Sequence, residues 1–224
     1  MKPQDYDYLL FDLDGTLTDP EEGITKCVQY ALEHFGIKET DRTKLTRFIG
    51  PPLLDSFQEF YGLDKKQALE AVEKYRERFE TVGLFENEVY PGIKEMLAAL
   101  QDEGKVLGVA TSKPDVFANR ILKHFGLSGY FTVICGASLD HKVRSTKADV
   151  IREALQELKI TPDEAREKVL MIGDRKHDVI GAREAGIPCI GVEFGYAEPG
   201  ELKEYGADYI ASTVRELQEV VLCH

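Results

Sequence analysis

The sequence predicts an α/β fold: a parallel sheet covered by helices on both faces, with an all-helical domain inserted after the first strand. Three observations predict it. Short apolar runs recur at Tyr6–Phe11, Val106–Ala110, Val133–Cys135, Val169–Ile172 and Cys189–Val192, with a weaker one at Tyr209–Ala211. Segments of helical pattern lie between them, at Gly92–Gln101, Asp115–Phe125, Ala148–Leu158 and Asp178–Ala185. Such alternation reads as strands joined by helical crossovers. From Thr18 to Gly83 the alternation stops, and only helical patterns remain.

The elements follow in order. Tyr6–Phe11 is a short, mostly apolar strand. Asp19-Pro20-Glu21-Glu22 then gives a helix start, with an acidic first turn. Within the insert, Ile24, Val28, Ala31, Leu32 and Phe35 share one helical face. So do Leu53, Phe57 and Phe60, and then Leu69, Val72, Tyr75 and Phe79. The chain returns through Leu84–Tyr90, just ahead of Pro91-Gly92. Later starts are marked by capping boxes, Thr161-Pro162-Asp163-Glu164 and Thr213-Val214-Arg215-Glu216. The expected division is a Rossmann-like core of residues 1–17 and 84–224 and a helical cap of residues 18–83.

Composition narrows the function. Apolar residues make up 43 % and charged residues 30 % of the 224, as in an ordinary globular protein. No apolar run approaches the roughly 18 residues of a membrane span. Met1-Lys2-Pro3-Gln4-Asp5 lacks the apolar stretch of a signal peptide, so a cytoplasmic protein is expected. The four cysteines form no C-x-x-C pair, which leaves zinc and redox chemistry unindicated. No disulfide is expected in a reducing compartment. A net charge of −12 argues against nucleic acid as a partner. It also means that an anionic substrate needs local cations or a metal.

Two acidic clusters stand at strand ends. Asp12-Leu13-Asp14-Gly15-Thr16 closes the first strand, where Asp12 and Asp14 would point the same way. Gly173-Asp174-Arg175-Lys176-His177-Asp178 follows the Val169–Ile172 strand. Both clusters lie beyond carboxyl ends of parallel strands, where open α/β sheets bind ligands. Four carboxylates at one sheet edge suit magnesium, which prefers oxygen ligands. Thr111-Ser112-Lys113 follows the Val106–Ala110 strand and offers hydroxyl donors for phosphoryl oxygens. Lys147, at a helix start, offers a compact positive charge.

The order of these pieces, D-L-D-G-T, a strand-terminal Thr-Ser, a lysine and then G-D-x-x-x-D, resembles the signature motifs of the haloacid dehalogenase superfamily along nearly the whole chain. Ala110–Pro114, Phe48-Ile49-Gly50-Pro51-Pro52-Leu53, and Gly173–Asp178 with Gly181-Ala182 resemble its phosphoglycolate phosphatase and 5′-nucleotidase-like branch. The resemblance implies a nucleophile at Asp12 and a general acid/base at Asp14. It implies a magnesium site from Asp12, Asp14 through its backbone carbonyl, Asp174, and Asp178 through water. Thr111, Ser112 and Lys147 would bind the phosphoryl group, and the insert would be the family's cap. Lys147 fits the helix start better than Lys142, which lies in the polar stretch His141–Ser145.

The implied activity is magnesium-dependent hydrolysis of a small phosphorylated metabolite through an aspartyl-phosphate. The leading expectation is a phosphoglycolate phosphatase-like enzyme, and the alternative is a 5′-nucleotidase-like hydrolase. A dehalogenase would have no alkoxide for Asp14 to protonate. A sugar phosphomutase of this superfamily would carry a histidine in its first cap linker, and Leu17–Gln29 has none. An idle binding protein would not retain every motif residue. Arg47 is a candidate partner for a substrate carboxylate, and Phe48 or Tyr196 for a base. His177 reads as a solvated loop side chain, since hard magnesium avoids imidazole. Lys113 and Arg175 flank the site, with their roles open.

Overall fold

The computed structural model describes residues 2–139, 144 and 146–222. In chain order the elements are β1 (Tyr8–Phe11), β2 (Thr18–Asp19), α1 (Glu21–His34), α2 (Leu53–Tyr61), α3 (Lys65–Phe79), β3 (Glu88–Val89), α4 (Ile93–Asp102), β4 (Val106–Pro114) and α5 (Asp115–His124). They continue with β5 (Val133–Ala137), α6 (Lys147–Glu157), α7 (Pro162–Lys168), β6 (Val169–Gly173), α8 (Lys176–Ala185), β7 (Cys189–Val192), α9 (Glu201–Tyr205), β8 (Tyr209–Ala211) and α10 (Val214–Leu222). Two compact units result: Met1–Thr18 with Val89–His224, and Asp19–Glu88.

The larger unit is built on a six-stranded sheet ordered β5-β4-β1-β6-β7-β8. Every pairing is parallel, so helical crossovers flank the sheet. The strands are nearly all apolar because both faces are covered; Leu9, Leu10, Phe11, Leu170, Met171 and Ile172 have no exposure. β1 is central, with Phe11 level with Val109 on one side and Ile172 on the other. After β1 the chain builds outward to β4 and β5, then crosses to β6 on the other side. That reversal is a topological switch point, and it brings the carboxyl ends of β1, β4 and β6 together.

Strand ends depart from the sequence pattern for local reasons. Pro3–Asp5 forms a 3-10 turn, and so β1 starts at Tyr8 rather than Tyr6. β4 runs on to Pro114, with a register shift between Thr111 and Pro114 against β5. A capping box absent from the sequence reading starts α6 at Lys147, one residue ahead of the expected Ala148: Thr146 Oγ1 accepts from Asp149 N–H (3.1 Å), and the Asp149 carboxylate accepts from Thr146 N–H (3.2 Å). Cys27, Cys135 and Cys189 are buried free thiols. No helix among the described residues is long and apolar enough to cross a membrane.

The smaller unit packs α1, α2, α3 and the 3-10 segment Arg42–Phe48 around their own core. Phe48, 2 % exposed, is its hub, edge-on to Phe57 at 5.0 Å and Phe60 at 5.3 Å. Three details of the sequence reading need correction. Residues 84–88 cluster with this unit rather than with the core. Leu84 is fully buried, Gly23 N–H donates to Glu86 O (2.9 Å), and Arg78 and Lys26 both pair with the Glu86 carboxylate. Leu69 is 50 % exposed, and Ala68 and Ala71 face inward in its place. The linkers Thr18–Asp19 and Glu88–Val89, read as strandless, pair as a two-stranded sheet.

Candidate active site

Asp12 leaves β1 with its N–H donating to Ile172 O (2.8 Å), so the sheet ladder itself fixes the residue. Its side chain is 4 % exposed. Lys147, on the first turn of α6, reaches across the sheet edge. Its Nζ lies 2.8 Å from Asp12 Oδ1 and 2.7 Å from Asp178 Oδ1, and donates to Ala110 O at 3.1 Å. Burial opposes the Lys147 charge, but the Asp12 and Asp178 carboxylates outweigh it and raise its pKa. The ammonium is therefore a fixed charge. Room for its stem comes from Gly181 on α8, where a Cβ would stand 2.6 Å from Lys147 Cγ.

Asp178 is 1 % exposed, and its Oδ2 accepts from Arg175 N–H at 3.0 Å. Burial raises its pKa to about 6 against the lowering effect of Lys147. Asp174, wholly buried, accepts from Tyr196 N–H through Oδ2 (2.8 Å), while Oδ1 has no hydrogen-bond partner. Burial first, then repulsion from Asp178 and Asp12, raises the Asp174 pKa well above the ordinary range. One carboxylate oxygen from each of Asp12, Asp174 and Asp178 lies within 4.8 Å of the others.

Asp14 stands apart from that trio. Its Oδ2 lies 2.7 Å from Lys113 Nζ, and its Oδ1 is buried without a hydrogen-bond partner. Burial raises its pKa, with Lys113 pulling the other way. Thr111, 1 % exposed, accepts from Lys113 N–H through its hydroxyl oxygen (3.2 Å), which leaves the hydroxyl proton to donate elsewhere. Ser112 is half-buried on the same strand end. Asp12, Asp14, Thr111, Ser112, Asp174 and Asp178 thus stand at or just beyond the carboxyl ends of β1, β4 and β6, with Lys147 from α6.

A divalent cation fits this chemistry. Asp12, Asp14 and Asp178 pair with Lys113 and Lys147, and the Asp174 oxygen without a hydrogen-bond donor among the described residues needs a positive partner. Oxygen donors alone suit a hard ion.

Two flanking residues are settled by the structure. Arg175 is buried and donates from Nε to Glu201 Oε1 (3.0 Å), so it serves the α8–α9 packing. His177 is not a solvated side chain: it is half-buried, and burial followed by Arg175 and Lys176 lowers its pKa to about 4. Lys142 lies outside the described residues. Two contacts are decided by strand neighbours rather than by the sequence, which sets Lys113 beside the site but gives it no partner. Lys113 pairs with Asp14 only because β4 is the neighbour of β1. Gly195 and the Tyr196 amide meet Asp174 because β7 adjoins β6; the sole sequence signal is a glycine shortly after a strand.

Residues 9–192 match the family of haloacid dehalogenase-like hydrolases. The chain belongs to that family. Within it, a 5′-nucleotidase of Pseudomonas aeruginosa is 47 % identical over 219 residues, covering 98 % of this chain and 97 % of the other. The tyrosine-protein kinase PtkA of Mycobacterium tuberculosis is 38 % identical over 215 residues, 95 % of this chain and 72 % of that one. A solved structure, that of a predicted phosphatase from Clostridium acetobutylicum, superposes with a TM-score of 0.91 at 50 % identity, covering 97 % of this chain and 98 % of that one. This haloacid dehalogenase-like hydrolase is a phosphatase, a phosphoric monoester hydrolase.

Proposed function

We propose that the protein is a magnesium-dependent phosphatase that works through an aspartyl-phosphate and prefers nucleoside 5′-monophosphates. The observation that carries the chemistry is the placement of Lys147 Nζ between Asp12 and Asp178, beside an Asp174 oxygen that has no donor. Asp12, Asp174 and Asp178 would hold the metal, with the Asp14 carbonyl. Bound there, magnesium supplies charge neutralisation between two anions and holds a phosphoryl oxygen.

Asp12 attacks phosphorus in line, and the phosphorus–oxygen bond of the ester breaks as the Asp12–phosphorus bond forms. Asp14, whose carboxyl burial favours in protonated form, gives its proton to the leaving alkoxide. Asp14 then takes a proton from the water that cleaves the acyl-phosphate, which restores both residues. Lys113 orients the Asp14 carboxylate, and Thr111, Ser112 and Lys147 bind the equatorial oxygens. The helical unit Asp19–Glu88 is assigned the role of cap.

Preference for a nucleotide rests on the 47 % identity to a 5′-nucleotidase along nearly the full chain. Pairing of Arg47 with a substrate carboxylate has no support in the fold, since its guanidinium lies over the Phe60 ring, 4.1 Å from the centroid. The stacking role open to Phe48 is likewise unsupported, because that ring is buried in the helical core. Steady-state kinetics with magnesium test the reading. A kcat/KM for AMP or UMP at least about tenfold above that for phosphoglycolate, some 1.4 kcal/mol, is expected. The reverse order rejects the nucleotide preference and favours phosphoglycolate.

A further inference from the structure

Asp174 is a buried carboxylate crowded by Asp12 and Asp178, and among the described residues its hydrogen bond comes from Tyr196 N–H. That bond holds Oδ2 and leaves Oδ1 bare. The amide owes its place to a tight approach. A Cβ on Gly195 would stand 2.5 Å from Asp174 Oδ2 and would also strike the Gly15 carbonyl. The loop after β7 is thus laid directly on the carboxylate.

The far side of the loop is held by a ring contact. Phe194 meets Tyr90 edge to face, with centroids 5.3 Å apart at 72°. Tyr90 follows β3 directly, and its N–H donates to Leu17 O at 3.2 Å. One residue on, Thr18 O accepts from Gly15 N–H at 2.7 Å, and a Cβ on Gly15 would also strike Asp174 Oδ2. A continuous path therefore runs from both linker strands, through Tyr90, Phe194 and Gly195, to one carboxylate.

We infer that Tyr90 and Phe194 are positioning residues that hold the Tyr196 amide against Asp174 and so keep its free oxygen aimed for a metal ion. The inference rests on the metal site proposed above. Residues that orient a ligand without touching the metal commonly govern affinity by about ten- to a hundredfold. The coupling is reciprocal, so magnesium at Asp174 tightens the pairing between Tyr90 and Leu17. Linker geometry and metal loading are then two views of one equilibrium.

Calorimetric titration of chelator-treated protein with magnesium tests this without turnover. Wild type and Tyr90→Phe, which keeps the ring, are expected to bind alike. Tyr90→Ala and Phe194→Leu are expected to bind about tenfold more weakly. Circular dichroism at the titration temperature establishes that each variant is folded. Amide exchange supplies a readout that general destabilisation would not single out: Tyr196 N–H should exchange faster in Tyr90→Ala, with β1 and β6 amides unchanged. Unaltered magnesium affinity and unaltered Tyr196 exchange in both Tyr90→Ala and Phe194→Leu overturn the positioning role alone. Absence of magnesium binding by wild type overturns the metal reading and this inference with it.

Discussion

The Lys147 ammonium forms ion pairs with Asp12 and Asp178 and donates to the Ala110 carbonyl. Such a residue cannot be exchanged without leaving buried carboxylates unpaired. Asp12, in contrast, can be replaced almost isosterically. Asp12→Asn is expected to stay folded and to retain under about a hundredth of wild-type turnover; more than about a tenth, a cost below 1.4 kcal/mol, rejects Asp12 as nucleophile. The carboxyls also set a pH signature. Burial holds Asp178 near a pKa of about 6, above the roughly 3.9 of an unfolded chain. Between those values the native state keeps a proton that the unfolded chain has lost, so metal-free stability falls as pH rises through that window. Asp14 and Asp174 shift in the same direction. Magnesium requires ionised ligands, and its stabilising effect should therefore grow as pH passes about 6. Thermal melts with and without magnesium, at about pH 5.5 and 7.5, are expected to differ more at the higher pH; an equal or larger difference at the lower pH contradicts the assignment.

At the scale of elements, α8 shows the site overriding local preference. Glycine inside a helix costs about 1 kcal/mol relative to alanine, and on propensity alone Gly181→Ala should stabilise α8. The added Cβ would instead meet the stem of Lys147 at 2.6 Å. Overpacking of this kind costs about 1–3 kcal/mol, so the clash wins. The variant is expected to melt lower and to lose activity together, as Lys147 is pushed off Asp12. A higher melting temperature with full turnover refutes the packing account. In the helical unit, Phe57 is fully buried against Phe48. Phe57→Ala should remove about 3–5 kcal/mol from that unit, read as a loss of cooperativity in denaturant unfolding.

For the whole molecule, twelve more acidic than basic charges make the site's own cations and the proposed metal decisive. Activity is expected to vanish in EDTA and to return with magnesium. Calcium should restore little, because its longer bonds and higher coordination number displace Asp12 from the phosphorus. Full activity in a chelator rejects the metal site, whatever the substrate. The switch point at β1 explains why one sheet edge carries all of this: only there do strands that succeed β1 on either side present their carboxyl ends to it.

The sequence by itself determined the alternation of strands and helices, the helical insert, and the motif residues Asp12, Asp14, Thr111, Lys147, Asp174 and Asp178. Those features are local: a strand shows as an apolar run, a capping box marks a helix start, and an aspartate just past a strand is already at the sheet edge. What depends on strand neighbours had no such signal. Lys113 finds Asp14 because β4 pairs with β1, and Tyr196 finds Asp174 because β7 pairs with β6. Arg175 is consumed by Glu201, His177 is drawn into partial burial, and Leu69 is turned outward while two alanines take the inner face. Residue type is silent on such outcomes, because each is decided by how closely two backbones approach. Gly15 and Gly195, where a Cβ would strike the Asp174 carboxylate, mark where the tertiary structure made that decision.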